Sequence, residues 1–194
     1  MASPRILFLA GSARKTSFNK TLARAAAQIA SDMGADAACL DMAHHPMPLF
    51  CEDLEAEQGI PEHALRLKKM FIDANGFVLC CPEYNGSITP LLKNTIDWLS
   101  RPNEGEAPLA CFKGKVAGLM AASPGTLGGL RGLVHVRAIL SGIGTLVIPE
   151  QIALTNAANA FAPDGSLADE TQQQRATKVV KQVVEIARRL HSND

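Results

Sequence analysis

The chain has 194 residues, 47% of them hydrophobic and 20% charged, which suits one domain with a buried core and excludes disordered or collagen-like chains. Its 19 basic and 19 acidic residues cancel, so it lacks the strong positive field that gathers nucleic acid or anionic membrane, and one Tyr (Tyr84) and one Trp (Trp98) leave few platforms for stacking bases. Five cysteines (Cys39, Cys51, Cys80, Cys81, Cys111) without a CxxC pair or regular spacing argue against a disulfide framework and for a reducing cytoplasm.

Residues 5–10 (RILFLA) form a near-continuous apolar run, the pattern of a strand covered on both faces in a parallel sheet. The run is too short for a secretory signal, and nowhere does an apolar stretch reach the roughly 18 residues of a membrane span. After a Gly/Ser-rich turn, Leu22, Ala26, Ile29 and Met33 recur at helical spacing and Gly34 stands at the C-terminal cap. A short strand follows at 37–40. From Asp41 to Glu62 there are six carboxylates and no Lys or Arg, which reads as a long solvated loop or one that borders a neighbouring subunit. Pro61, Ala64, Leu67 and Phe71 open a second helix with proline in its first turn. A strand at 76–81, a short helix at 90–99, a strand at 115–121, a helix at 130–140 and a strand at 145–148 come next. Ala176, Val180, Val183, Ala187 and Leu190 form the stripe of a closing helix with basic residues toward its end.

Five apolar strands alternating with five helices predict an α/β fold: a doubly wound five-stranded parallel sheet with helices on both faces. Such sheets take ligands beyond the carboxyl ends of their strands, which directs attention to the turns after strands 1, 3 and 4. The first turn, residues 11–19 (GSARKTSFN), resembles an anion nest. Backbone amides at a helix start, the hydroxyls of Ser12, Thr16 and Ser17, the Asn19 amide and the Arg14 guanidinium suit one phosphate. The alternative is that Ser17 only caps the helix and Arg14 is a solvated charge. Lacking both GxxxxGK[ST] and GxGxxG, the turn fits a phosphomonoester better than a pyrophosphate. The second turn, 82–87 (PEYNGS), carries the only Tyr, and Gly86 permits close backbone approach to a planar ligand; an ordinary turn with Tyr84 packed on a helix is the alternative. The third turn, 123–129 (SPGTLGG), has three glycines in seven residues, as a flexible or ligand-hugging loop would.

Together the GSxRxxSxN segment at Gly11 to Asn19, the PEYN segment at Pro82 to Asn85 with its continuation at 92–101 (LKNTIDWLSR), and the SxGxxGG loop at Ser123 to Gly129 resemble the NADPH-dependent FMN reductase family. That family includes flavodoxin-like quinone, azo-dye and chromate reductases, and the resemblance runs in order over about residues 5 to 142. It implies a single flavodoxin-like FMN-binding domain over 1–194. Ser12, Arg14, Ser17 and Asn19, with Phe18 in the same loop, would hold the FMN phosphate; Pro82, Glu83, Tyr84, Asn85 and Gly86 would line the isoalloxazine; Ser123 and Gly125 would close the third side. NADPH or NADH would be the donor, and a quinone, free flavin, azo compound or similar small molecule the acceptor. The flavin would carry the redox chemistry, so no protein nucleophile is required. The resemblance also implies a homodimer or homotetramer with the site at a subunit interface, which makes Arg131, His135 and Arg137 candidates for interfacial or nicotinamide-phosphate contacts, an exposed helix face being the alternative reading. Two departures bear on acceptor shape: Gly86 stands where related sequences often carry a bulkier, sometimes aromatic residue, and Pro124 stiffens the third loop.

A flavodoxin-type electron carrier is the rival reading, disfavoured by the neutral net charge and the PEYN loop, and a phosphate-binding regulatory domain would leave that loop without a role. His44 and His45, with no third ligand nearby, read as solvent-exposed rather than as a metal site. Cys80 and Cys81, at the end of a buried strand, read as small core hydrophobes.

Overall fold

The protein, described here by a computed structural model, is laid out for residues 3–191. Strands β1 (Arg5–Ala10), β2 (Asp36–Leu40) and β3 (Gly76–Cys80) carry alternating side chains into two separate cores. Ile6, Phe8, Val78 and Cys80 enter one core, while Leu7, Leu9, Phe77 and Leu79 enter the other. Burial on both faces is why β1 and β3 read as unbroken apolar runs instead of alternating ones, whereas the edge strand β2 is only partly buried.

Helix α1 (Phe18–Asp32) covers the first face together with the last helix, whereas α3 (Glu62–Asp73) and α4 (Pro90–Leu99) cover the second. A seven-residue helix, α2 (Glu52–Gln58), precedes α3. Between β3 and α4 the two-residue strands β4 (Glu83–Tyr84) and β5 (Ser87–Ile88) pair as a hairpin. Then follow β6 (Val116–Ala122), α5 (Leu130–Gly142), β7 (Leu146–Leu154) and α6 (Glu170–Leu190). The main sheet is wholly parallel with order β2-β1-β3-β6-β7, so the order reverses between β1 and β3. A ligand crevice belongs at the carboxyl ends around that point.

Three expectations change. The strand expected at 145–148 continues to Leu154 through Pro149; β7 is an edge strand, where a missing ladder donor is tolerated, and its register against β6 shifts between Ala117 and Leu119. The acidic loop contains α2, whose first-turn Glu52, Asp53 and Glu55 complement the helix dipole. It also contains a 3-10 turn, Met42–His44, closed by the Ala43 N–H donating to Asp41 at 2.9 Å. Finally, residues 45–51 are strapped onto α4: the Pro48 carbonyl accepts from Asn94 Nδ2 at 2.9 Å and from Trp98 Nε1 at 2.8 Å, while Phe50 N–H donates to Asn94 Oδ1 at 2.7 Å. The Phe50 ring meets Trp98 edge-on at 5.0 Å, and Arg101 donates to Glu55 at 2.9 Å, so part of the acidic cluster is paired rather than solvated.

Candidate functional site

The carboxyl ends of β1, β3 and β6 bring the three predicted loops to one end of the sheet. In the first, Ser17 occupies the N-cap position of α1 but its side chain bonds none of the helix amides. The backbone N–H groups of Lys15, Thr16, Ser17, Phe18 and Asn19 have no acceptor among the described residues. Five free donors at the positive end of a 15-residue helix form a donor set for a dianionic group. Ser12 Oγ accepts from Arg14 N–H at 3.3 Å, and the Arg14 guanidinium donates to Thr16 Oγ1 at 3.1 Å while lying 5.6 Å from the Phe18 ring centre. This cation–π contact and hydrogen bond hold an otherwise exposed charge across the loop.

Asn19 has a different use from the one its motif suggested. Its buried amide donates from Nδ2 to the Ala122 carbonyl at 2.8 Å and accepts the Ala122 N–H at Oδ1 at 2.9 Å. Both ends of the side chain thus staple α1 to the last residue of β6. Lys20, which sequence reasoning passed over, is only 6% exposed; its ammonium lies 2.6 Å from Asp41 and 3.3 Å from the Ala13 carbonyl, bracing the first loop from behind. Burial pushes the Asp41 carboxyl up, but the Lys20 ammonium and the Ala43 N–H outweigh it and hold it below the ordinary carboxylate range.

The second loop is the β4–β5 hairpin. Asn85 and Gly86 at its tip have φ of 50° and 82°, the paired left-handed residues of a type I′ turn, for which Asn-Gly is the preferred sequence. Tyr84 is 57% exposed, so the reading in which it packs against a helix does not hold. The Glu83 carboxylate is directed to α5: Oε2 accepts the N–H groups of Arg131 at 3.0 Å and Gly132 at 3.3 Å, and Oε1 accepts Arg131 Nε at 2.7 Å and Nη2 at 2.5 Å. Burial raises this carboxyl, yet the Arg131 guanidinium and the helix amides together hold it below its ordinary value. Ser87 Oγ lies 2.8 Å from His135 Nδ1, a second tie between hairpin and α5.

In the third loop, Ser123 Oγ accepts Gly125 N–H at 3.2 Å. Gly128 has φ of 61°, and a Cβ there would sit 2.7 Å from the Ala153 carbonyl carbon, so close packing on β7 accounts for this glycine without a ligand. The N-termini of the helices that follow β1, β3 and β6 therefore differ, that of α4 being capped by Thr89 Oγ1, which accepts the Leu92 N–H at 3.2 Å. That of α5 is filled by Glu83, whereas that of α1 is open, which confines the main anion-binding capacity to the first loop.

A groove of about 880 Å³ runs along the outer side of α1 against residues 157–166 and takes in Thr16 and Phe18 of the first loop, but no residue of the other two loops. His44 is exposed as expected; His45 is half-buried with its ring edge-on to His63 at 6.1 Å. Cys80 and Cys81 are fully buried, and burial drives both thiols up, away from reactive thiolate.

The sequence profile of the family described as NADPH-dependent FMN reductase matches residues 4–159. The chain is 37% identical over 145 residues to a quinone reductase of Escherichia coli (strain K12), covering 74% of this chain and 73% of the relative. It is 33% identical over 191 residues to an NAD(P)H:quinone oxidoreductase of Solanum tuberosum, covering 96% and 94%. Among solved structures it resembles FerB, a flavoenzyme NAD(P)H:(acceptor) oxidoreductase from Paracoccus denitrificans, at a TM-score of 0.82 and 28% identity over 96% of this chain and 98% of that one.

Proposed function

The chain belongs to the NADPH-dependent FMN reductase family, and on that premise we propose that it binds FMN across its three loops and reduces small acceptors, quinones above all, with NADPH or NADH. The observation that carries this reading is the open N-terminus of α1. The amides of residues 15–19, with Ser12, Thr16, Ser17 and Arg14, fit the phosphate of FMN. Charge-assisted hydrogen bonds contribute ~1.5 to 3 kcal/mol each, so three or four reach most of the roughly 8 kcal/mol of a micromolar ligand. Asn19 acts one step back by holding α1 on the sheet. The isoalloxazine lies against Pro82 and the Tyr84–Gly86 turn, whose backbone is free to meet a heteroaromatic rim, with Ser123 and Gly125 on the third side. When bound, FMN supplies two-electron transfer from a reduced nicotinamide to the acceptor. The protein's part is to fix the phosphate, present hydrogen-bond donors along the ring edge, and leave one face open for donor and acceptor in turn.

We propose assembly as a homodimer or homotetramer as part of the same reading. On α5, Leu133 and Val136 are fully buried against the sheet, whereas Leu130 and Val134, with Leu127 just before the helix, stay exposed on another side. A second copy covers such a stripe and walls the open flavin face. Among the described residues no helix is long and apolar enough to cross a membrane, and all five cysteines are unpaired, in keeping with the cytoplasm.

The purified protein should be yellow and release FMN on denaturation. NADPH or NADH should bleach it anaerobically, and initial-rate plots with a quinone should give parallel lines, because both substrates use one face. Failure of both nicotinamides to bleach bound FMN would favour an electron carrier, and absence of FMN would remove the reading altogether.

A further inference from the structure

Gly86 leaves the tip of the hairpin without a side chain, and the space beside it is taken by Arg131: a Cβ on Gly86 would lie 3.9 Å from Arg131 Nε and 4.0 Å from Cζ. The guanidinium reaches there because Glu83 grips one edge of its fork through Nε and Nη2, leaving Nη1 without a partner among the described residues. The Arg131 side chain is 62% exposed, whereas the Glu83 side chain is 9% exposed. Glu83 does not cancel the charge of Arg131 completely, because its carboxylate also accepts two amides at the positive end of α5. One unit of negative charge faces one guanidinium plus a helix terminus equivalent to about half a positive charge, so about half a unit remains, directed outward by the free edge of the fork. A planar fork with a fixed edge and a free edge is suited to carboxylate or sulfonate oxygens in a way that a mobile ammonium is not.

We infer that Arg131, aimed over Gly86 by Glu83, is a specificity-determining residue that favours planar quinone acceptors carrying an anionic substituent over neutral quinones of the same ring. This rests on the FMN reading above, which sets the hairpin along the rim of the isoalloxazine, next to the face that donor and acceptor use in turn. The reaction is NADPH + H⁺ + quinone giving NADP⁺ + hydroquinone, and Arg131 acts on the substituent, not on the transferred electrons. The phosphates of the nicotinamide donor carry the same anionic chemistry, so the test separates the two sources.

The FMN-loaded protein is assayed with 1,4-naphthoquinone and with 1,4-naphthoquinone-2-sulfonate, each at saturating donor, for the wild type, Arg131→Met and Arg131→Lys. Naphthalene-2-sulfonate, which is not reduced, is titrated by calorimetry as a second readout. Arg131→Met should lower the kcat/KM ratio of sulfonated to neutral quinone about tenfold, equivalent to ~1.4 kcal/mol, through KM of the sulfonated substrate, with the neutral quinone changed less than about twofold. Arg131→Lys, keeping charge but not the braced fork, should recover only part of the ratio. Glu83→Gln raises the local charge but releases the fork, and should also lower the ratio; a rise there overturns the bracing role of Glu83. Raising salt from about 0.05 to about 0.5 M should shrink the wild-type ratio and leave that of Arg131→Met unchanged. An unchanged ratio in Arg131→Met, with weaker naphthalene-2-sulfonate binding also absent, overturns the inference. So does a loss confined to the KM of NADPH or NADH, which would assign Arg131 to the donor. A protein that takes up no FMN removes the reading beneath it, a result that spectra show before any acceptor is added.

Discussion

Replacing Asn19 with alanine should destabilise the apoprotein by about 3 kcal/mol. The side chain makes two hydrogen bonds, at 2.8 and 2.9 Å, to both backbone groups of Ala122, a residue 103 positions away. Each bond contributes about 1 kcal/mol net, and loss of the partner leaves a buried N–H and C=O that cost roughly 1 to 3 kcal/mol apiece when water reaches them poorly. The bonds and the orphaned groups overlap as estimates, which places the total at about 3 kcal/mol and the fall in Tm at roughly 6 to 12 °C for a chain of this size. Urea unfolding of apoprotein, followed by the fluorescence of the single, fully buried Trp98, measures it without any cofactor. Asn19→Asp should be no better, since a carboxylate would face the Ala122 carbonyl. An unchanged unfolding midpoint in Asn19→Ala, together with a large loss of FMN affinity, would refute the staple and return Asn19 to the phosphate.

Arg14→Ala should weaken FMN about tenfold, ~1.4 kcal/mol, in a fluorescence titration; unchanged affinity would show that the amides of α1 suffice. Lys68 is buried, donates to the Arg101 carbonyl at 2.7 Å and lies 2.9 Å from Glu106, whose carboxyl burial raises but Lys68 and Asn103 together hold below the ordinary range. A depressed folded-state value means that this stabilisation is complete above the ordinary carboxylate pKa of about 4.3 and is lost as pH falls below it. Glu106→Gln should therefore cost about 1 to 3 kcal/mol at pH ~7 and progressively less in acid, the upper part of the buried-pair penalty being screened by the partial exposure of Glu106; a cost independent of pH would contradict the assignment. Val134→Glu places a charge on a residue that is 60% exposed, so it should leave monomer stability unchanged while light scattering shows dissociation; an unaltered mass would exclude the α5 stripe as the interface.

The sequence was most informative where one local rule decided the structure. The strand at 5–10 and the helix at 90–99 have the expected limits, since an apolar run between polar flanks and a proline at the first helical position leave little freedom. The short α2 was hidden because none of its residues is buried and no apolar period exists to find. The hairpin was legible in Asn85-Gly86 and was passed over because two-residue strands have no alternation of their own. Within the site, the motif letters located the loops correctly but not the use of each side chain. Asn19 and Glu83 bond backbone groups 103 and 48 or more residues away, partners that exist only once the sheet has assembled. Lys20 looks like any surface lysine of a helix until Asp41 and Ala13 close around it.

The strap over α4 ends at the same place where Lys20 begins. Asp41 opens the segment and pairs with Lys20, and Lys20 in turn holds the Ala13 carbonyl of the phosphate loop, while the far end hangs on Asn94 and Trp98. Residues 41–51 are held by these polar bonds, by Met42 in the core and by the Phe50–Trp98 contact, and none of these is a bond of the parallel sheet, so opening of the segment would leave the strands paired. Opening would release the brace behind the first loop, so the segment and the ligand are linked equilibria. Occupancy of the phosphate loop should slow amide exchange and proteolytic cutting near the exposed Leu49, and by reciprocity closure of the strap adds the same free energy to ligand affinity. Occupancy of the phosphate loop thus bears on a stretch of chain outside the three ligand loops.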